Sequence, residues 1–162
     1  MRSVVVADTS PLRYLAEIEN IDLLLKLIGS ISVPTIVFAE LQHPSTPPIV
    51  RAQFKPDSLS WLQVIEVAKA LPDQAWFAGL DDGEADALRL ASQLSADLIL
   101  IDERRGNESA RELGFETTGT LGVLVRASQR GYIDLADAFA RLRKTDFHCP
   151  EGLMRKLLAA ER

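Results

Sequence analysis

Two short apolar runs without polar interruption are Val4-Val5-Val6-Ala7 and Leu98-Ile99-Leu100-Ile101. Each run stops on an aspartate, Asp8 and Asp102. Short aliphatic runs with no alternation predict strands buried on both faces of a parallel sheet. Thr9-Ser10-Pro11 reads as helix cap and first helical position, so a helix is expected from Pro11 to about Ile18. A second helix covers roughly Ile21 to Ile28 and ends at Gly29. Ile31-Ser32-Val33 predicts a short strand, and Pro34 opens a helix carrying Ile36, Val37 and Leu41, with Glu40 near its end. His43 to Ser60 holds four prolines and reads as an irregular surface excursion, in which Ile49 to Phe54 can form one or two helical turns. Trp61 to Val67 alternates like a strand. Asp81-Asp82-Gly83 marks a helix start, and Ala87, Leu88, Ala91 and Leu94 give the helix from Gly83 to about Ser95 its apolar stripe.

After the second apolar run, a helix is expected over Asn107 to Leu113, closed by Gly114, and a last short strand over Glu116 to Thr118. Gly119-Thr120 caps a helix from Leu121 to Arg130, and Leu135 to Lys144 and Glu151 to Ala160 are amphipathic. This alternation predicts a three-layer α/β/α domain with a central, mainly parallel sheet. Residues 1–162 read as a single domain, with the C-terminal helices from about residue 134 packing on or beside it.

Composition narrows the class. Apolar residues make up 47% of the 162 residues and charged residues 25%, the balance of a soluble globular chain. No apolar run approaches the roughly 18 residues of a membrane span, and no basic-then-apolar leader opens the chain. Cys149 is the single cysteine, so no internal disulfide can form, and a reducing cytoplasm is the expected compartment. One cysteine with two histidines, His43 and His148, argues against structural zinc and leaves all three in surface or packing roles. The net charge of -5 gives no bulk attraction for nucleic acid. It leaves room for local basic patches at Arg104 and Arg105, or at Arg126, Arg130, Arg141, Arg143 and Lys144.

Ligands of open parallel sheets bind beyond the carboxyl ends of the strands, so Asp8 and Asp102 are expected at one rim. Carboxylates gathered there repel unless a proton or cation lies between them. Either aspartate alone also reads as a turn or cap residue; with Thr9 and Ser10 available to cap the helix, Asp8 is free to face a ligand. Glu84 stands in the first turn of its helix, where the dipole favours a carboxylate, yet it shares a face with Leu88 and Ala91 and so points into the domain. Asp81, Asp82 and Asp86 cluster near it, one of them as a cap. Glu40 shares a face with Ile36 and Val37, which argues for a polar cleft beside it; the other reading is a solvated glutamate at a helix end.

In this order the residues resemble a known family. Val5-Val6-Ala7-Asp8-Thr9-Ser10-Pro11-Leu12 resembles the opening motif of PIN-domain nucleases. Gly83-Glu84-Ala85-Asp86-Ala87, then Leu98 to Gly106, then Thr118-Gly119-Thr120-Leu121-Gly122-Val123-Leu124, are similar to relatives of VapC toxins. The resemblance runs to about Arg130. It implies a PIN-like fold and a Mg²⁺- or Mn²⁺-dependent endoribonuclease, the toxin component of a toxin–antitoxin system. Asp8, Glu40, Glu84 and Asp102 match the acidic positions of the pocket. Glu84 replaces the family's usual aspartate, and Arg104 stands where some relatives carry a further acid.

On this reading Asp8, Glu84 and Asp102 bind the metal, and Glu40 orients or deprotonates the attacking water. Thr9, Ser10 and Thr120 are expected to donate to substrate phosphate or metal-bound water, and Arg104 or Arg105 to contact phosphate. The partners expected are an RNA substrate, an antitoxin protein and a second copy of the chain. Amphipathic terminal helices and Trp61 and Trp76 would supply the apolar area of the homodimer. Two other readings stand beside this one. A catalytically weak or inactive PIN-like module would offer the pocket to a basic side chain of a protein partner. A receiver-type phosphoacceptor also clusters carboxylates, but it needs a lysine after a buried strand, and none is found.

Overall fold

Among the described residues, five short strands form one sheet in the order β3-β2-β1-β4-β5, with every neighbouring pair parallel. The computed structural model describes residues 3–56, 59–68 and 77–161. Strand β1 (Val5–Ala7) leads through α1 (Thr9–Glu17) and α2 (Asp22–Leu27) to β2 (Ile31–Pro34). Helices α3 (Thr35–Leu41) and α4 (Pro48–Gln53) precede β3 (Leu62–Ile65). The chain continues through α5 (Asp82–Leu94) to β4 (Leu98–Leu100), α6 (Arg104–Glu112) and β5 (Glu116–Thr118), and ends in α7 (Thr120–Gln129), α8 (Leu135–Leu142) and α9 (Glu151–Ala160).

The unbroken apolar runs follow from burial on both faces. Val5 and Ala7 join one core with Leu12, Leu15, Ile31, Val33 and Leu100, under α1, α2, α7 and α8. Val6 points the other way and meets Ile99, Ile101, Ala87, Leu88 and Ala91, under α5 and α6. Side chains alternate across a strand, so a strand between two helical layers needs apolar residues at every position. The result is a three-layer α/β/α fold. Helix α8 places Leu135, Ala138, Phe139 and Leu142 in the first core, and α9 adds Met154. Between them Asp146 accepts from Arg13 at 3.0 Å and from the Tyr14 hydroxyl at 2.8 Å, and Phe147 meets the Tyr14 ring edge-on at 5.0 Å. No helix among the described residues is long and apolar enough to cross a membrane.

Some boundaries differ from expectation. Helix α1 begins at Thr9 rather than Pro11, with Asp8 in the N-cap position. The first N–H groups of a helix have no intrahelical acceptor, so proline fits at the third position without losing a bond. Helix α6 begins at Arg104 rather than Asn107. Strand β3 is confined to Leu62–Ile65, with Leu62 against the first core and Ile65 against the second, and among the described residues it is an edge strand of the sheet. Trp76 lies outside the described residues.

The order of strands determines where the site can be. From β1 the chain moves to β2 and β3 on one side, then returns to β4 and β5 on the other. The switch point therefore falls between β1 and β4, where a crevice opens beyond their carboxyl ends. Their register pairs Ala7 with Leu100, and Asp8 N–H donates to the Leu100 carbonyl at 2.9 Å. Both strands therefore release an aspartate at this crevice.

Candidate metal-binding pocket

Asp8 is nearly buried, at 4% exposure, with its carboxylate at the head of α1. Its carboxyl is pushed from 3.8 up to about 7. Burial is the main cause, the Thr9 backbone N–H opposes it, and the charges of Asp81, Glu40 and Asp102 add to it. Glu84, at 7% exposure, is pushed from 4.5 up to about 8 by burial, by the charges of Asp81 and Asp8, and by a hydrogen bond with Asp81. Asp102 is half-buried as a residue, but its carboxylate is enclosed by Thr120 and Ser10. Burial raises its pKa as well, against the hydrogen bonds from the Thr120 backbone, the Thr120 hydroxyl and Ser10. Glu40, half-buried on α3, accepts from the Thr9 hydroxyl.

The structure thus brings Asp8, Glu40, Glu84 and Asp102 together from four elements. It also adds a fifth acid. Asp81 caps α5 by accepting from the Glu84 backbone N–H at 2.7 Å, and its charge bears on both Asp8 and Glu84. Glu103, exposed at the head of α6, also raises Glu84. The sequence signal for Asp81 was the Asp-Asp-Gly helix start, which says that one aspartate caps but not that the cap also faces the crevice.

Three glycines make the crowding possible. A Cβ on Gly83 would lie 3.0 Å from Glu40 Oε1 and 3.4 Å from Asp8 Oδ1. One on Gly106 would lie 2.5 Å from Ile101 Cδ1 and 3.4 Å from Glu84 Oε2, and one on Gly119 would lie 2.5 Å from Asp102 Oδ1. None of the three has the positive φ that usually explains glycine, so the close approach of neighbouring side chains is the reason for each.

The hydroxyl residues do other work than expected. Thr9 donates to Glu40, Thr120 donates to Asp102 through both N–H (2.7 Å) and hydroxyl (2.8 Å), and Ser10 also bonds Asp102. As they stand, their hydroxyl protons are committed to holding acids rather than turned toward a substrate. Arg104 is exposed and pairs with Glu108 at 3.1 Å, and Arg105 donates to the Ala78 carbonyl at 2.9 Å, so neither guanidinium joins the cluster. Away from the pocket, His43 hydrogen-bonds Ser45, and Cys149 is a half-buried free thiol.

Chemically the cluster is a set of oxygen donors without histidine or thiolate, the set that Mg²⁺ and Mn²⁺ prefer. Two carboxyls are raised to about 7 and about 8, first by burial and then by their neighbours' charges, and a divalent cation offsets the cost of charging them together. By donor chemistry and charge the residues fit such an ion. Among the described residues, no three carboxylates yet surround one position as their side chains stand.

Residues 4–161 match the family model described as DUF3368, a PIN domain. No curated protein matches the chain.

Proposed function

Because the chain belongs to the PIN-domain family, a family of nucleases, we propose that it is an endoribonuclease dependent on Mg²⁺ or Mn²⁺. The single observation that carries this reading is the meeting of Asp8, Glu40, Glu84 and Asp102, with Asp81, at the β1–β4 switch point. Asp8, Glu84 and Asp102 would hold the cation, which when bound polarises the phosphodiester and stabilises developing charge. Glu40 is held by Thr9 and stands over the space that Gly83 leaves open beside Asp8. There it orients the attacking water and takes its proton. Asp81 holds the start of α5, and Glu84 with it, by accepting from the Glu84 backbone N–H. On the likeness of its motifs to VapC relatives, the enzyme acts as a toxin, restrained by a protein antitoxin and assembled as a homodimer.

Asp8→Asn should abolish Mg²⁺-dependent cleavage of a mixed single-stranded RNA while the protein stays folded. Cleavage at the parent rate would overturn the assignment. One observation favours a second reading, a non-catalytic module that receives a basic side chain from a protein partner: as placed, no three acids among the described residues converge on one point. Calorimetric titration separates the two, since such a module binds no Mg²⁺ or Mn²⁺ at millimolar concentration.

A further inference from the structure

Asp102 is held unlike the other pocket acids. Its Oδ1 accepts from the Thr120 backbone N–H at 2.7 Å, and its Oδ2 accepts from the Thr120 hydroxyl at 2.8 Å. One residue therefore grips both oxygens, which fixes the carboxylate's rotation as well as its position. Ser10, from the first turn of α1, gives a further hydrogen bond. The Thr120 N–H is the first of α7, a group with no acceptor inside its own helix and at the positive end of the helix dipole. Thr120 is fully buried, so its hydroxyl serves Asp102 rather than solvent or a polymer substrate. Gly119 completes the fit, because any Cβ there would strike Asp102 Oδ1 at 2.5 Å.

We propose that Thr120 is a positioning residue which, with Gly119 and Ser10, clamps Asp102 in the orientation that receives the divalent cation. The proposal rests on the metal-dependent reading above. It divides the pocket into a fixed half and an adjustable half. Asp102 is set by donors from α7 and α1, whereas Asp8 and Glu84 face other acids and must settle around the ion. Outer partners that orient ligands of a metal are worth about 10–100-fold in affinity. A merely structural cap predicts otherwise: its loss lowers stability and leaves metal affinity alone.

Two measurements on the full chain test this. In metal-free protein followed by NMR, the Thr120 amide should exchange with solvent about tenfold or more slowly relative to the same amide in Asp102→Ala. Equal exchange would show that the clamp does not exist, whatever the metal does. Mn²⁺ affinity by calorimetry should then fall about 10–100-fold in Thr120→Val, which keeps the backbone donor, and return to within about threefold of the parent in Thr120→Ser. Parent-like affinity in Thr120→Val, or an equal loss in Thr120→Ser, overturns the positioning role. A parent protein that binds no Mn²⁺ overturns the metal reading and this role with it, and the amide data then show whether the contact survives as a structural cap.

Discussion

Removing the charge of Asp8 should stabilise this protein, and the gain should depend on pH. The Asp8 carboxyl titrates at about 7 in the fold against 3.8 ordinarily, mainly because it is buried and then because Asp81, Glu40 and Asp102 surround it. A carboxyl raised by folding favours the folded state while it keeps its proton. Below about pH 4 it is neutral in both states and costs nothing. Between about 4 and 7 the unfolded chain has released its proton while the fold retains it, so stability falls as pH rises, by up to about 1.4 kcal/mol per pH unit. Above about 7 the loss is complete, on the order of 4 kcal/mol. An asparagine side chain in place of Asp8 can still accept from the Thr9 N–H and carries no charge. Asp8→Asn should therefore match the parent near pH 4 and exceed it near pH 8, by roughly 8–15 °C in melting midpoint for a domain of this size. Thermal scans of both proteins from acid to mildly alkaline pH, in chelator, measure this directly. Millimolar Mg²⁺ should then close the gap by raising the parent alone. A variant midpoint at or below the parent's near pH 8, or a difference that does not change with pH, would refute the reasoning and make Asp8 an ordinary helix-start residue.

Three further outcomes follow from the same geometry. Glu40→Gln keeps an acceptor for Thr9 and loses the base, so kcat for RNA cleavage should fall about 10²–10⁴-fold with the melting midpoint nearly unchanged; single-turnover rates check this. Gly119→Ala drives a methyl into Asp102, which should cost about 1–3 kcal/mol in urea unfolding and weaken Mn²⁺ binding in the same protein. Phe139→Ala, at a fully buried site on the core face of α8, should lose about 3–5 kcal/mol in urea unfolding. A loss below about 1 kcal/mol would mean that α8 does not belong to the central core.

The fold was legible wherever burial imposes a pattern. Val5 to Ala7 and Leu98 to Leu100 are apolar at every position because helices cover both sheet faces, and that requirement is visible in one dimension. The four acids were legible for a related reason: two end such strands, and Glu40 and Glu84 stand on apolar helix faces where a carboxylate needs a purpose. What the sequence could not show depends on approach in space. Gly83 and Gly119 were marked only as helix-start residues and Gly106 not at all; none of the three has a positive φ, so the neighbouring side chains explain why each is glycine. The hydroxyls of Thr9, Ser10 and Thr120 carry no mark that separates holding an acid from binding a substrate. Thr120 lies 18 residues beyond Asp102, and the parallel pairing of β4 with β5 is what brings the start of α7 back to it. Asp81 was hidden by its own capping role, since a cap and a pocket acid at one helix start have the same spacing.

The most direct test of the central claim is a crystal soaked in Mn²⁺ and measured at the manganese absorption edge. The account predicts an anomalous peak in the β1–β4 crevice, with carboxylate oxygens of Asp8 and Asp102 about 2.1 Å from it and Glu84 bound directly or through water. A crystal at saturating Mn²⁺ with no peak among these carboxylates, or with one only at surface acids elsewhere, would contradict it.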